Sequence, residues 1–241
     1  MNTKTRGIVL RSVRYGDAKL IIDVLTELSG RISFAVRVPK TAKGKLKRQY
    51  FQPMTLLDME YDWRERNTLQ NMKDVRIALP YTSIPFEPVK STMLLFLAEF
   101  LYYVTRDEQQ NATLFNYIYN SLEWLDNSEK DYANFHLVFM IRLGKFLGFQ
   151  PYLEEYTQGD YFDLRNGCFT SSLPFHADYL PKKESEQMYT LMRMTFNTMK
   201  VFKLSHNERN RITEYVLHYY RLHVPNMPDL KSFEILREVF A

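Results

Sequence analysis

At 241 residues, 45% hydrophobic and 25% charged, the chain is long enough to bury one large core or two modest ones, and global disorder is excluded. One cysteine, Cys168, rules out both an intrachain disulfide and a multi-cysteine metal site, so a reducing compartment is expected. The net charge of +4 conceals two unlike halves, because residues 1–80 carry 16 Lys+Arg against 8 Asp+Glu and the remainder carries 16 against 20.

Five short β segments are predicted first, near Gly7–Arg14, Ala18–Thr26, Arg31–Val38, Phe51–Asp62 and Thr68–Leu79. Ile32, Phe34, Val36 and Val38 alternate with Arg31, Ser33, Ala35 and Arg37, the period-two pattern of a half-buried strand. In the fourth segment the apolar parity slips between Met54, Leu56 and Leu57, Met59, Tyr61, and a β-bulge is expected there. Turn signals at Tyr15-Gly16-Asp17, Leu28-Ser29-Gly30 and Arg64-Glu65-Arg66-Asn67 separate the segments. Five strands in under eighty residues point to an OB-type β-barrel.

Between the third and fourth segments runs a loop, Pro39–Gln49, in which apolar periodicity disappears. From Leu28 to Leu57 the chain carries Arg31, Arg37, Lys40, Lys43, Lys45, Lys47 and Arg48 and no acid. Arg6, Arg11 and Arg14 on the first segment add charge of the same sign. Clustered cations focus a field, and the counterions they release from a phosphate backbone become affinity. An arbitrary Lys-rich run is more often a solubilising loop, but one attached to a barrel of this kind suits a polyanionic partner.

After Pro80, Pro85 and Pro88 the period becomes helical, so a domain boundary is expected there: 1–80 as the OB-type domain, 81–241 as a mostly α-helical domain with an irregular insertion around 149–181. Leu94, Leu95, Ala98, Leu101 and Tyr102 make one helical stripe, and Phe135, Phe139, Leu143, Phe146 and Leu147 another. Ser205 with Glu208 reads as a capping box, and Asp229 is expected to cap a last helix through Phe240. A small hairpin is predicted about Asn166-Gly167. The first thirty residues contain no apolar run of signal-peptide length, and Met93–Val104, broken by Glu99, is too short to span a bilayer. A cytoplasmic location is therefore expected.

Candidates for catalysis are few. Asp58, Glu60 and Asp62 alternate on one strand and would share a face, which allows a metal-dependent nuclease as an alternative. Alternating polar residues are also the ordinary outer face of a half-buried strand. His136, His176, His206, His218 and His223 include no pair at i and i+4, so the zinc-helix motif is missing. Gly144 and Gly148 bracket Lys145 without the Lys-Ser or Lys-Thr dipeptide of a phosphate loop and are expected to serve helix packing. Cys168 reads as a small buried hydrophobe rather than a nucleophile.

Thr5-Arg6-Gly7-Ile8-Val9-Leu10, Leu20 through Arg31 and Gln52-Pro53-Met54-Thr55-Leu56-Leu57, followed by Leu143–Phe149 and Leu230–Arg237, resemble the bacterial RecO family over nearly the full length. The resemblance implies an N-terminal OB barrel, a helical C-terminal domain and a non-enzymatic recombination mediator. Such a protein binds single- and double-stranded DNA, anneals complementary strands and, beside RecR, helps RecA displace single-strand-binding protein. Arg6, Arg11, Arg14, Arg31, Arg37, Lys40, Lys43, Lys45, Lys47 and Arg48 are then the expected phosphate contacts. The acidic, aromatic-ended tail of single-strand-binding protein is expected on the helical half, with Arg142, Lys145, Arg211 and Arg221 as candidates. Many members carry a four-cysteine zinc module, but the matching stretch here offers only Cys168, so no cofactor or metal is expected. A stand-alone single-stranded nucleic-acid-binding module without mediator activity is the other alternative.

Overall fold

The computed structural model describes residues 2–16, 19–38, 46–153 and 156–239. Five strands, β1 (Asn2–Tyr15), β2 (Lys19–Thr26), β3 (Gly30–Arg37), β4 (Leu56–Asp62) and β5 (Asn71–Ile77), pair antiparallel in the order β3-β2-β1-β4-β5. A parallel bridge between Phe34 and Gln70 ties the outer strands together, with Gln70 N–H donating to Ser33 O and Ala35 N–H to Gln70 O. The sheet thereby closes on itself as the expected OB-type barrel. Val9, Ile22, Val24, Phe34, Met59 and Tyr61 fill its interior, and Phe51, 1% exposed at the end of a 3₁₀ turn (Arg48–Phe51), joins them.

The bulge expected between Met54 and Leu57 lies elsewhere. Met54 occupies the turn before β4 with φ 66°, and Leu56 and Leu57 are both buried, opposite Ile8 and Gly7. A strand covered on both faces has no parity to break. The irregularities fall in β1, where Leu10 is an extra residue between the Val9–Val24 and Arg11–Asp23 pairs, and in β5, where Lys73 is extra opposite Glu60 and Tyr61.

The remaining elements are α1 (Pro88–Val104), α2 (Ala112–Asn127), α3 (Phe135–Leu147), the short strands β6 (Tyr161–Asp163), β7 (Cys168–Thr170) and β8 (Tyr179–Leu180), then α4 (Lys182–Arg193), α5 (His206–His223) and α6 (Lys231–Val239). Among the described residues two compact units result: one from residues up to 127 together with 230–239, the other from residues 128–229. The change of period at Pro80 ends the barrel, while the division between units falls after α2. The segment that follows Pro80 is held by Asp126, whose carboxylate accepts the N–H groups of Thr82, Ser83 and Ile84 at 2.8, 2.9 and 2.9 Å.

The last helix is capped differently from expectation. Glu99 of α1 accepts the N–H groups of Lys231 and Ser232 at the start of α6, satisfying donors that a helix N-terminus leaves free, whereas Asp229 accepts from Arg221 at 2.7 Å. Phe240 lies outside the described residues.

In the second unit Ser205 and Glu208 form the expected capping box of α5. Gly148 ends α3 in the left-handed conformation (φ 84°) with open space about its α-carbon, so it is a C-cap and not the packing glycine expected. The hairpin about Asn166-Gly167 forms as β6 and β7. Asp163 closes it, accepting the N–H groups of Arg165 and Asn166 and the Asn166 side chain at 2.8, 3.0 and 2.7 Å.

Candidate nucleic-acid interface

The bulge at Leu10 decides what β1 shows to solvent. Val9 faces the core, and without the extra residue Arg11 would follow it inward, because a one-residue slip exchanges the faces of a strand. With it, Arg11, Val13 and Tyr15 turn outward, beside the outer-face residues of β2 and β3. Three rows cross this surface in register: Arg11–Asp23–Ser33, Val13–Ile21–Ala35 and Tyr15–Lys19–Arg37.

The structure sorts the predicted cations into two groups, and the first is held by the fold. Arg6 donates to both Glu27 oxygens at 2.9 and 2.6 Å and to Asn116 at 2.7 Å, while its guanidinium lies over the Phe115 and Tyr119 rings of α2. Arg31 donates to the Tyr102 carbonyl at 2.6 Å, lies 3.9 Å from the Asp23 carboxylate and stacks on the Tyr102 ring at 4.1 Å. Arg11 stacks on the same ring at 4.9 Å and donates to its hydroxyl at 2.9 Å, but stays exposed.

The second group consists of Arg14, Arg37, Lys47 and Arg48, all exposed, and none has a side-chain partner among the described residues. Arg37 shares the outer-face row of Tyr15 and Lys19, whereas Arg14 lies in the adjacent row opposite Leu20, on the other face of the sheet; Lys47 and Arg48 enter the 3₁₀ turn ahead of β4. Sequence reasoning missed Lys19, equally exposed and unpaired among the described residues, directly between Tyr15 and Arg37. Its signal was the turn residue Gly16, beyond which the register pairs Lys19 with Tyr15; Asp17 of the expected turn lies outside the described residues. Lys40, Lys43 and Lys45 lie outside the described residues.

The carboxylates considered for a metal do share a face of β4, yet each has a cation beside it. Asp58 accepts from Arg76 at 3.0 Å, Glu60 lies 3.5 Å from Lys4 and Asp62 lies 2.8 Å from Lys73. The Lys73 ammonium also holds the Asp62 carboxyl below its usual range. The Asp58–Arg76 and Glu60–Lys4 pairs, with Arg6 and Glu27, line a groove of about 550 Å³. Among the described residues no group of three or more His, Cys, Asp or Glu converges as a metal site, and the Tyr161–Ser171 stretch does not fit a four-cysteine centre.

On the helical half the four candidates do not form one set of free charges. Arg142 donates to the Met194 carbonyl at 2.7 Å, Arg211 lies 3.6 Å from Glu184 and Arg221 pairs with Asp229. Of the four, only Lys145 has no side-chain partner among the described residues. Among the described residues no helix is long and apolar enough to cross a membrane.

Comparison with known proteins matches two family models to successive parts of the chain. Residues 1–81 match the family model for the N-terminal region of recombination protein O, and residues 85–232 match that for its C-terminal region. Among curated proteins, the DNA repair protein RecO of Bacteroides fragilis is 45% identical over 241 residues, covering all of both chains. That of Phocaeicola vulgatus is 42% identical over the same span, and that of Azobacteroides pseudotrichonymphae 37% identical over 98% of each chain. With its barrel matched by the N-terminal family model, most of its helical part matched by the C-terminal one, and a full-length relative 45% identical, the chain belongs to the recombination protein O family.

Proposed function

We propose that this protein acts in recombinational DNA repair as a non-catalytic mediator that holds single- and double-stranded DNA by its phosphates and anneals complementary strands. The observation that carries the reading is the sorting of the cations. Arg6 and Arg31 are committed to the fold, whereas Arg14, Lys19, Arg37, Lys47 and Arg48 are left unpaired among the described residues. Phosphates of two strands held among such charges repel each other less, and annealing then breaks no covalent bond. Lys40, Lys43 and Lys45 extend the same cationic loop in sequence. Family membership supports assistance from RecR, recognition of the tail of single-strand-binding protein with Lys145 as the one of the four candidates left unpaired among the described residues, and delivery of the strand to RecA.

The test is strand annealing on bare DNA and on DNA precoated with single-strand-binding protein, across a salt series. With about six phosphates contacted, log affinity for single strands falls against log salt with a slope of roughly −4. Annealing of bare DNA that fails on precoated DNA reduces the protein to a simple nucleic-acid-binding module. Affinity independent of salt overturns the electrostatic reading altogether.

A further inference from the structure

We propose that Tyr15 is a stacking platform for an unpaired base, seated on the apolar row Val13–Ile21–Ala35 and flanked by Lys19 and Arg37, so that this corner of the barrel distinguishes single strands from duplex. The proposal rests on the DNA-binding reading above and adds to it a residue that recognises bases rather than phosphates.

Three observations converge on Tyr15. Its side chain is 63% exposed and, among the described residues, makes no hydrogen bond and no ring contact. Most of the aromatic rings elsewhere in this unit are engaged: Tyr102 carries two arginines, Tyr119 lies under Arg6, and Phe34 packs edge-on against Tyr61. The row beside it is apolar on a face where a barrel is ordinarily polar. Val13 is exposed and Ile21 and Ala35 are half-buried, whereas Ile8 and Leu25 on the same outer face nearer α1 are buried. The register then places Lys19 directly opposite Tyr15 and Arg37 directly opposite Lys19, at the spacing of neighbouring strands, roughly 5 Å apart. An apolar floor, a free ring at its edge and two unpaired cations beside the ring match a nucleotide unit, which presents a flat face and an anionic backbone together. A paired base in duplex has its faces covered by its neighbours and cannot use the ring.

The test compares Tyr15→Ala and Tyr15→Phe in the full chain, titrated with a labelled oligothymidylate, an abasic oligomer of the same length and a duplex. Stacking on one aromatic is a roughly 5- to 150-fold effect. Tyr15→Ala is expected to lose that factor on oligothymidylate alone, with an unchanged salt slope, while Tyr15→Phe keeps parental affinity and the parent binds the abasic strand as weakly as the alanine variant does. Lys19→Gln is expected to shallow the salt slope by about 0.7 on single strands and to weaken duplex as well. Tyr15→Ala with parental affinity for oligothymidylate overturns the platform but leaves phosphate binding standing. A parent that binds none of the three probes overturns the DNA reading itself. Equal loss on single strands and duplex reassigns Tyr15 to maintaining the hairpin and also overturns the proposal.

Discussion

Arg6 of β1 and Glu27, just beyond β2, form a two-pronged pair: Nε and Nη2 donate to the two carboxylate oxygens at 2.9 and 2.6 Å. Nη2 reaches Asn116 of α2 as well, so one side chain fastens the barrel to that helix. The hydrogen bond that Arg6 donates to Glu27 raises the arginine pKa, and the same bond lowers that of Glu27. Both groups are partly exposed, so solvent screens part of the attraction. Arg6→Gln is therefore expected to lower stability by about 1–2 kcal/mol in urea unfolding while leaving the salt slope of DNA binding unchanged. A variant that unfolds like the parent but binds DNA more weakly would return Arg6 to the phosphate contacts.

Asp126 gives the protein an acid-sensitive fastening. Burial acts to raise its pKa, but the N–H groups of Ile84, Thr82 and Ser83 and the Thr82 hydroxyl outweigh it, so the carboxyl ends below its usual range. A carboxylate lowered on folding contributes stability that is complete above its unfolded pKa of about 3.9 and is lost as pH falls through the folded value. Glu27 adds a second contribution of the same sign from about pH 4.3 downward. Asp126→Asn is expected to cost about 2–3 kcal/mol at neutral pH and to flatten the acid limb of the stability curve, measured by urea unfolding between neutral pH and pH 3. An acid limb identical to the parent's would show that Asp126 titrates alike in both states.

The barrel and its helices were legible because period carries burial: Ile32, Phe34 and Val36 alternate in the sequence and point inward in β3. What was illegible had partners distant in sequence. Nothing near Arg6 announces Asn116, and nothing near Lys231 announces Glu99, yet these interactions engage the Arg6 guanidinium and set how α6 begins. The bulge was misplaced for a related reason. Parity reports which face is covered, and at Leu56 and Leu57 both faces are, whereas the extra residue at Leu10 sits in an unbroken apolar run, Ile8-Val9-Leu10, that has no parity to slip. The cationic end of the site was visible as charge; which of its members were free was not.

Gly30 joins β2 to β3 where two constraints coincide. Its φ is 65°, in the left-handed region, and a β-carbon there would stand 2.5 Å from the Glu108 carbonyl oxygen. A backbone oxygen cannot swing aside as a side chain can. Gly30→Ala is expected to cost about 2–4 kcal/mol, combining left-handed strain with overpacking. Gly16, with the same φ of 65° but nothing within 4 Å, is the matched control and is expected to lose about 1 kcal/mol on the same change. Equal losses in the two would show that conformation alone sets the requirement, with no part for the packing against Glu108.

Removing the unpaired cations tests whether charge at the barrel end grips phosphates or serves as solubilising surface. Each phosphate-bound cation replaced should shallow the single-strand salt slope by about 0.7, so Arg14→Gln, Arg37→Gln and Arg48→Gln together are expected to shallow it by about 2. Arg142→Gln is the informative comparison, because its guanidinium already donates to the Met194 carbonyl. Equal formal charge is removed per substitution, but Arg142 is engaged by a backbone carbonyl, so the slope is expected to stay at the parental value while stability falls. Weakening in the triple variant should be uniform across DNA sequences, since phosphate contacts position a strand without reading it. A slope that follows total charge removed, irrespective of position, would mean that a diffuse field rather than this end of the barrel binds the strand.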